Sequence, residues 1–264
     1  MNMHFSVFAV AVLSCLMAAQ GLFAADHAPS RCGHSHSPTR SDLSLLSASR
    51  DATGQPSLSL ASRPLGPGVF RPVSEGSDWQ ESSEALFDGK SLAGWEGDPK
   101  AFRVEDGAIV GGTLDARVPR NAFLSTKREY ADFELRLQFK LLGKGANGGV
   151  QLRSRRIPNH HEMIGYQADL GNGWWGCLYD ESRRRKILAG PKPEERNELV
   201  KQNEWNEYRI RCQGSRIQLW INGTQTVDYT EPDPDIEQKG HIAVQIHGGP
   251  PSEAWYKDLR IMEL

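Results

Sequence analysis

The sequence predicts an all-β protein, a single two-sheet antiparallel β-sandwich occupying the last two-thirds of the chain. Three observations carry that expectation. From Ala85 onward, short runs alternate apolar and polar residues with a period of two, the period of a strand with one buried face. Turn-forming residues separate the runs, in keeping with 26 Gly and 15 Pro in 264 residues. No segment of convincing length keeps a helical period.

The elements follow in order. Residues 101–110 read as a strand, an Asp106-Gly107 hairpin turn and a returning strand. Residues 132–140 alternate almost perfectly: Phe133, Leu135, Leu137 and Phe139 point one way, and Glu134, Arg136 and Gln138 the other. Strands are expected over 148–154, 163–170, 176–180 and 207–212. Residues 216–223 form another, ending in an Asn222-Gly223 turn, with 224–229 as its return. Residues 241–247 and 255–262 close the set. About a dozen strands make two sheets of ordinary size.

Upstream, residues 5–19 are apolar but short for a bilayer span, and small residues follow over 18–25. A signal peptide over 1–25 and an exported protein are therefore expected. The alternatives are a retained anchor or lipidation at Cys15. Residues 26–82 are rich in Ser and Pro and bury too little apolar area to offset their ordering entropy, so they read as a disordered linker ahead of a domain at 83–264. Cys32, His34 and His36 lie in that linker and lack a fourth metal ligand. Of the Cys beyond the signal, Cys177 and Cys212 fall in apolar strand patterns and read as buried free thiols.

Net charge is −2, and the seven Trp are not accompanied by a basic stripe, which argues against a nucleic-acid partner. The one dense basic run, Arg183 to Lys186, follows Asp180 and Glu181 and reads as a solvated hairpin tip. Once the signal is removed, no integral membrane domain is expected. The oligomeric state is left open.

Strand parity then sorts side chains by face. Gln151 and Arg153 fall opposite Val150 and Leu152; Gln167 and Asp169 share a face; Gln245 and His247 fall opposite Ile242, Val244 and Ile246. With Tyr179 nearby and Trp174 and Trp175 flanking, these pairs would make a concave polar platform edged by aromatics. Carbohydrates suit such a surface, because planar polar groups meet hydroxyls and aromatic faces cover C–H surface. An ordinary solvated sheet face is the plainer alternative.

A set of ordered landmarks narrows the reading. The run 86–95 (Leu-Phe-Asp-Gly-Lys-Ser-Leu-Ala-Gly-Trp) resembles the opening signature of the 3-keto-disaccharide hydrolase family. Val104 to Gly107, Tyr130 to Leu135, Asn147 to Val150, Glu204 to Asn206, Leu219 to Gly223, His247 and Leu259 to Ile261 follow in the family's order. The resemblance spans residues 83–264. It implies a concanavalin-like jelly roll and activity, in some members, on glycosides oxidised at C3. The chain departs from the pattern at Tyr256-Lys257-Asp258, at Gly165 to Asp169 and in the Asn172 to Gly176 insertion.

A C3 ketone acidifies the proton on C2, so removing it lets the C1 substituent depart, after which water adds. That route needs a base, an enolate stabiliser and an acid. Asp169 or His247 is the expected base, Arg153 or Lys257 the stabiliser, and Tyr179 the acid. Gln151, Gln167, Gln245, Trp174 and Trp175 are the expected substrate-binding residues. A divalent metal is the one cofactor considered: His160, His161 and Glu162 could hold it with Asp169, though a solvated loop is the favoured reading of those three. A two-carboxylate glucanase is disfavoured, since no Glu-x-Asp-x-x-Glu string occurs. The alternative from another class is a non-catalytic carbohydrate-binding module on the cell surface.

Overall fold

A computed structural model describes residues 75–264. The expected signal peptide, Cys15 and the Cys32, His34 and His36 set lie outside the described residues. The chain opens with α1 (Glu75–Ser82) and short strands β1 (Glu84–Ala85) and β2 (Trp95–Glu96). Then come β3 (Phe102–Glu105), β4 (Ala108–Thr113), β5 (Ala122–Tyr130), β6 (Phe133–Leu142), β7 (Asn147–Arg156), β8 (Met163–Gly171), β9 (Leu178–Glu181) and β10 (Ile187–Ala189). A 3-10 turn at Arg196–Leu199 leads to β11 (Asn206–Gln213), β12 (Arg216–Ile221), β13 (Thr224–Thr230), β14 (Gly240–Ile246) and β15 (Ser252–Glu263).

The strands form the expected two antiparallel sheets, neither of them closed. One runs β13-β12-β11-β6-β15-β4-β3, with β1 added along β15; the other runs β10-β9-β8-β7-β14-β5-β2. Phe133, Leu135, Leu137 and Phe139 of β6 are all buried and face Val150, Leu152, Tyr166, Ala168 and Leu170 in one core. Arg136, Gln138 and Lys140 lie on the outer side. From Leu135 onward along β6, the alternation visible in the sequence is thus an alternation of burial; Glu134, on the outer side, is itself buried. Cys177 and Cys212 are buried free thiols. Among the described residues no helix is long and apolar enough to cross a membrane.

Two elements depart from expectation. Helix α1 lies just ahead of residue 83 and packs Trp79, 7% exposed, under the Arg136 guanidinium 4.1 Å from its ring. One Trp in a polar run gives no periodicity to read. Strand β5 also escapes alternation: Phe123, Leu124, Ser125 and Thr126 are all buried, followed by exposed Lys127, Arg128 and Glu129. A register shift against β14 between His241 and Ala243 breaks its period.

Phe139 sits where the two sheets lock, its ring stacked on Trp175 at 6.1 Å and tilted on Tyr208 at 5.6 Å. Phe139→Ala should therefore destabilise the domain by about 3–5 kcal/mol, measured by urea denaturation.

Candidate functional site

The site lies on the outer face of the β10-to-β2 sheet. Register places Ala243, Gln151, Gln167 and Tyr179 in one row across β14, β7, β8 and β9. The adjacent row runs Gln245, Gly149 and Asp169. Gln167 and Asp169 project from β8, opposite in parity to the core residues Tyr166, Ala168 and Leu170. Turns then close a pocket of about 570 Å³ around them, with Asn121, Asn147, Asn172, Trp174, Glu181 and His247 in its walls.

Asp169 is the chemical centre. It is only 4% exposed, and burial holds its carboxyl well above the usual range; the Glu181 charge pushes the same way. Gln167 and Arg196 act in the opposite sense, and Gln167 Nε2 donates to Asp169 Oδ1 at 2.5 Å. The Arg196 guanidinium itself donates to the Gly173 and Pro191 carbonyls, fixing the turn that presents Trp174. Burial raises the Tyr179 phenol and the Glu181 carboxyl, and Glu162 adds to the latter. The pocket therefore gathers groups that keep protons, the property expected of acid–base residues. His247 Nδ1 lies 2.8 Å from the Gly248 carbonyl, which can only accept, so Nδ1 carries a hydrogen and Nε2 of the neutral ring is the free base.

Several expected residues converge here and others do not. Gln167, Asp169, Trp174, Tyr179 and His247 all line the pocket. Trp174 is 39% exposed and meets Tyr179 edge-on at 5.8 Å, leaving indole surface for a sugar ring. Gln151 lies beneath Gln167, fully buried, and donates to its Oε1. Gln245 is also fully buried, with neither amide atom hydrogen-bonded among the described residues.

Arg153 is a correction. It sits at φ 48° beside the β7 bulge, which breaks the parity that would have aimed it into the pocket. Its guanidinium is buried elsewhere, donating to the carbonyls of Ala131 and Gly214 and to Gln238 and Asp132. Lys257 is a second correction: it belongs to β15 in the opposite sheet, with Nζ 4.4 Å from the Trp205 ring. Trp175 is a third, buried against Phe139 in the core.

His160 and His161 stack on each other, and His161 Nε2 meets Glu162 Oε1 at 3.1 Å. Among the described residues no group of three or more His, Cys, Asp or Glu is arranged to hold a metal ion, so these three do not join Asp169 in one. The basic hairpin tip also turns inward. Arg183 and Arg184 pair with the fully buried Asp180, and Arg184 reaches Glu231 at 2.6 Å.

Sequence reasoning missed Glu181 and Asn147. Parity could have found both, since Glu181 follows Tyr179 by two on β9 and Asn147 precedes Gly149 by two on β7.

An open two-sheet sandwich with a polar pocket around a buried carboxyl on one outer face defines the class. Residues 82–262 match the family described as 3-keto-alpha-glucoside-1,2-lyase-like domain, and the chain belongs to that family. Among solved structures, it is similar to a candidate glycosyl hydrolase from Parabacteroides distasonis, with a TM-score of 0.53 at 20% identity, covering 70% of this chain and 95% of that one. It is also similar to the carbohydrate-binding module CBM66 from Bacillus subtilis, with a TM-score of 0.51 at 12% identity over 64% and 96% of the two chains. At those identities the likeness is one of fold. No curated protein matches the sequence.

Arg153→Met should lower stability by about 3 kcal/mol, because the carbonyls and Asp132 lose a buried partner, while leaving ligand affinity of the pocket unchanged; thermal unfolding and calorimetric titration check the two halves. Asp169 behaves oppositely. Its folded pKa lies above its unfolded one, so the folded state holds the proton more tightly and stability falls as pH rises from about 4 through the folded value. Asp169→Asn should remove that slope and raise the urea midpoint above pH 7 relative to the parent.

Proposed function

We propose that the domain is an enzyme that cleaves 3-keto-glycosides by elimination followed by hydration. The observation that carries this reading is a buried Asp169 with a raised pKa, opening into a pocket beside Tyr179, Glu181 and the exposed face of Trp174. Family membership supports the substrate class, and the carbohydrate-related character of the family agrees with an aromatic-edged polar pocket.

In this mechanism the sugar packs on Trp174, and Asp169 Oδ2 takes the C2 proton made acidic by the neighbouring ketone. The C–H electron pair forms the enolate. Its collapse breaks the C1–O bond, and Tyr179 or Glu181 gives a proton to the departing oxygen. Water then adds across the resulting double bond, completing a net hydrolysis; in this reading His247, which lines the pocket, accepts the water's proton at Nε2. Among the described residues no Lys or Arg lines the pocket, so enolate charge falls to neutral donors, Asn147, Asn172 and the Tyr179 hydroxyl. A protein that only holds its ligand would use the same Trp174 face without needing Asp169 to ionise. We place the protein outside the cytoplasm, on the strength of its apolar leader.

Purified protein incubated with 3-keto-trehalose or 3-keto-lactose should release 3-keto-glucose, followed by chromatography, and the unoxidised parent sugars should stay intact. No release at any pH between 5 and 9, with or without added divalent metal, would sink the enzymatic reading. Asp169→Asn should lower turnover by about 10³-fold with folding retained. Trp174→Ala should instead weaken binding by about 10-fold through lost stacking.

A further inference from the structure

A chain of buried side chains leads away from Asp169 under the sheet face. Ser154 Oγ donates to Gln151 Oε1 at 2.7 Å, Gln151 Nε2 donates to Gln167 Oε1 at 2.5 Å, and Gln167 Nε2 donates to Asp169 Oδ1 at 2.5 Å. All four residues are at most 4% exposed. Two glycines clear its path. A Cβ at Gly149 would stand 2.7 Å from Gln167 Cδ, and one at Gly165, whose φ is 148°, would collide with Ser154 Oγ.

Each amide has one donating and one accepting end, so the chain has a direction. In the direction just described, Asp169 Oδ1 only accepts, which suits a carboxylate. The opposite direction is also satisfiable. Ser154 Oγ lies 3.0 Å from the Leu152 carbonyl and 3.3 Å from that of Tyr166, either of which can take its proton. Ser154 then accepts from Gln151 Nε2, Gln151 Oε1 accepts from Gln167 Nε2, and Gln167 Oε1 faces Asp169 Oδ1, which must now carry the proton. Half a turn of two amides interconverts the states. No proton travels along the chain.

We propose that Ser154, Gln151 and Gln167 are positioning residues that keep Asp169 hydrogen-bonded in both of its protonation states by reversing direction together. The inference rests on Asp169 exchanging protons as proposed above. A group that first takes the C2 proton and later gives it up would otherwise lose its partner in one of the two states, at the expense of its orientation. The other groups that bear on Asp169 are Glu181 from β9, Arg196 from the 3-10 turn, Cys177 before β9 and Tyr208 from β11, with Tyr179 and His247 across the pocket. Among the described residues none of these makes a hydrogen bond to the Asp169 carboxyl, whose Oδ2 is left for the ligand.

The test is a side-chain NMR titration of the full chain without any sugar present. Asp169 is followed through its carboxyl carbon, and Gln151 and Gln167 through their amide protons and nitrogens. The Gln151 amide should shift with the midpoint of Asp169 and by about as much as that of Gln167. A field effect alone would decay with distance, so a Gln151 response several-fold smaller than that of Gln167 overturns the proposal. Gly149→Ala pushes Gln167 aside without changing any residue of the chain. It should abolish the Gln151 response and raise the Asp169 midpoint by about one pH unit through loss of the Gln167 donor. Gln167→Leu should do the same, so the prediction holds even if the Ala variant fails to fold. A Gln151 response that persists in either variant also overturns the proposal. Because no substrate enters the experiment, its outcome is independent of whether 3-keto-glycosides are cleaved.

Discussion

A carboxyl group removed from water must either find compensating partners or keep its proton, and Asp169 does some of each. Its burial follows from where β8 places it, on a sheet face walled by the turn that carries Trp174 and by Asn147 at the start of β7. One amide, from Gln167, hydrogen-bonds it directly, and the positive charge of Arg196 acts without a direct bond. The net result is a carboxyl that holds its proton more tightly than one in water does. Much of the surrounding design serves this balance. Gly149 is bare so that Gln167 can lie across it, and Gln151 is buried beneath so that Gln167 stays there.

The core supports that arrangement from behind. Tyr256 of β15 crosses between the sheets, and its hydroxyl donates to the Gln245 carbonyl at 2.6 Å and lies 3.3 Å from the Gly149 amide. A Cβ on Gly148 would stand 2.7 Å from that same oxygen. The opposite sheet therefore contacts the backbone directly below the row of Gln245, Gly149 and Asp169. A site seated on paired strands with a tyrosine strut behind it is better held than one assembled from loops alone.

The extent to which this was legible in the sequence depends on how regular each strand is. Along β8, parity put Gln167 and Asp169 on one face, and the structure keeps them there. The same logic carried two residues further along β9 reaches Glu181. It failed at Arg153, because alternation holds only while the backbone stays extended, and a residue at φ 48° beside a bulge turns its side chain out of phase. It failed differently at Lys257, where the face was not the issue: β15 lies in the other sheet. In the pair Trp174 and Trp175, neighbouring residues in a turn, one indole went to the pocket and one to the core.

By itself, the sequence determined the class of fold, the strands with clean alternation, the two buried thiols and the family, because these depend on local periodicity and on ordered motifs. Only the tertiary structure decided which polar residues meet. Strand order, bulges and sheet assignment are long-range outcomes of packing, and they brought Asn147, Asp169, Tyr179, Glu181 and His247 together while sending Arg153 and Lys257 elsewhere. The raised pKa of Asp169 belongs to the same category. It comes from burial and from a neighbouring charge, and neither exists until the sheets have formed.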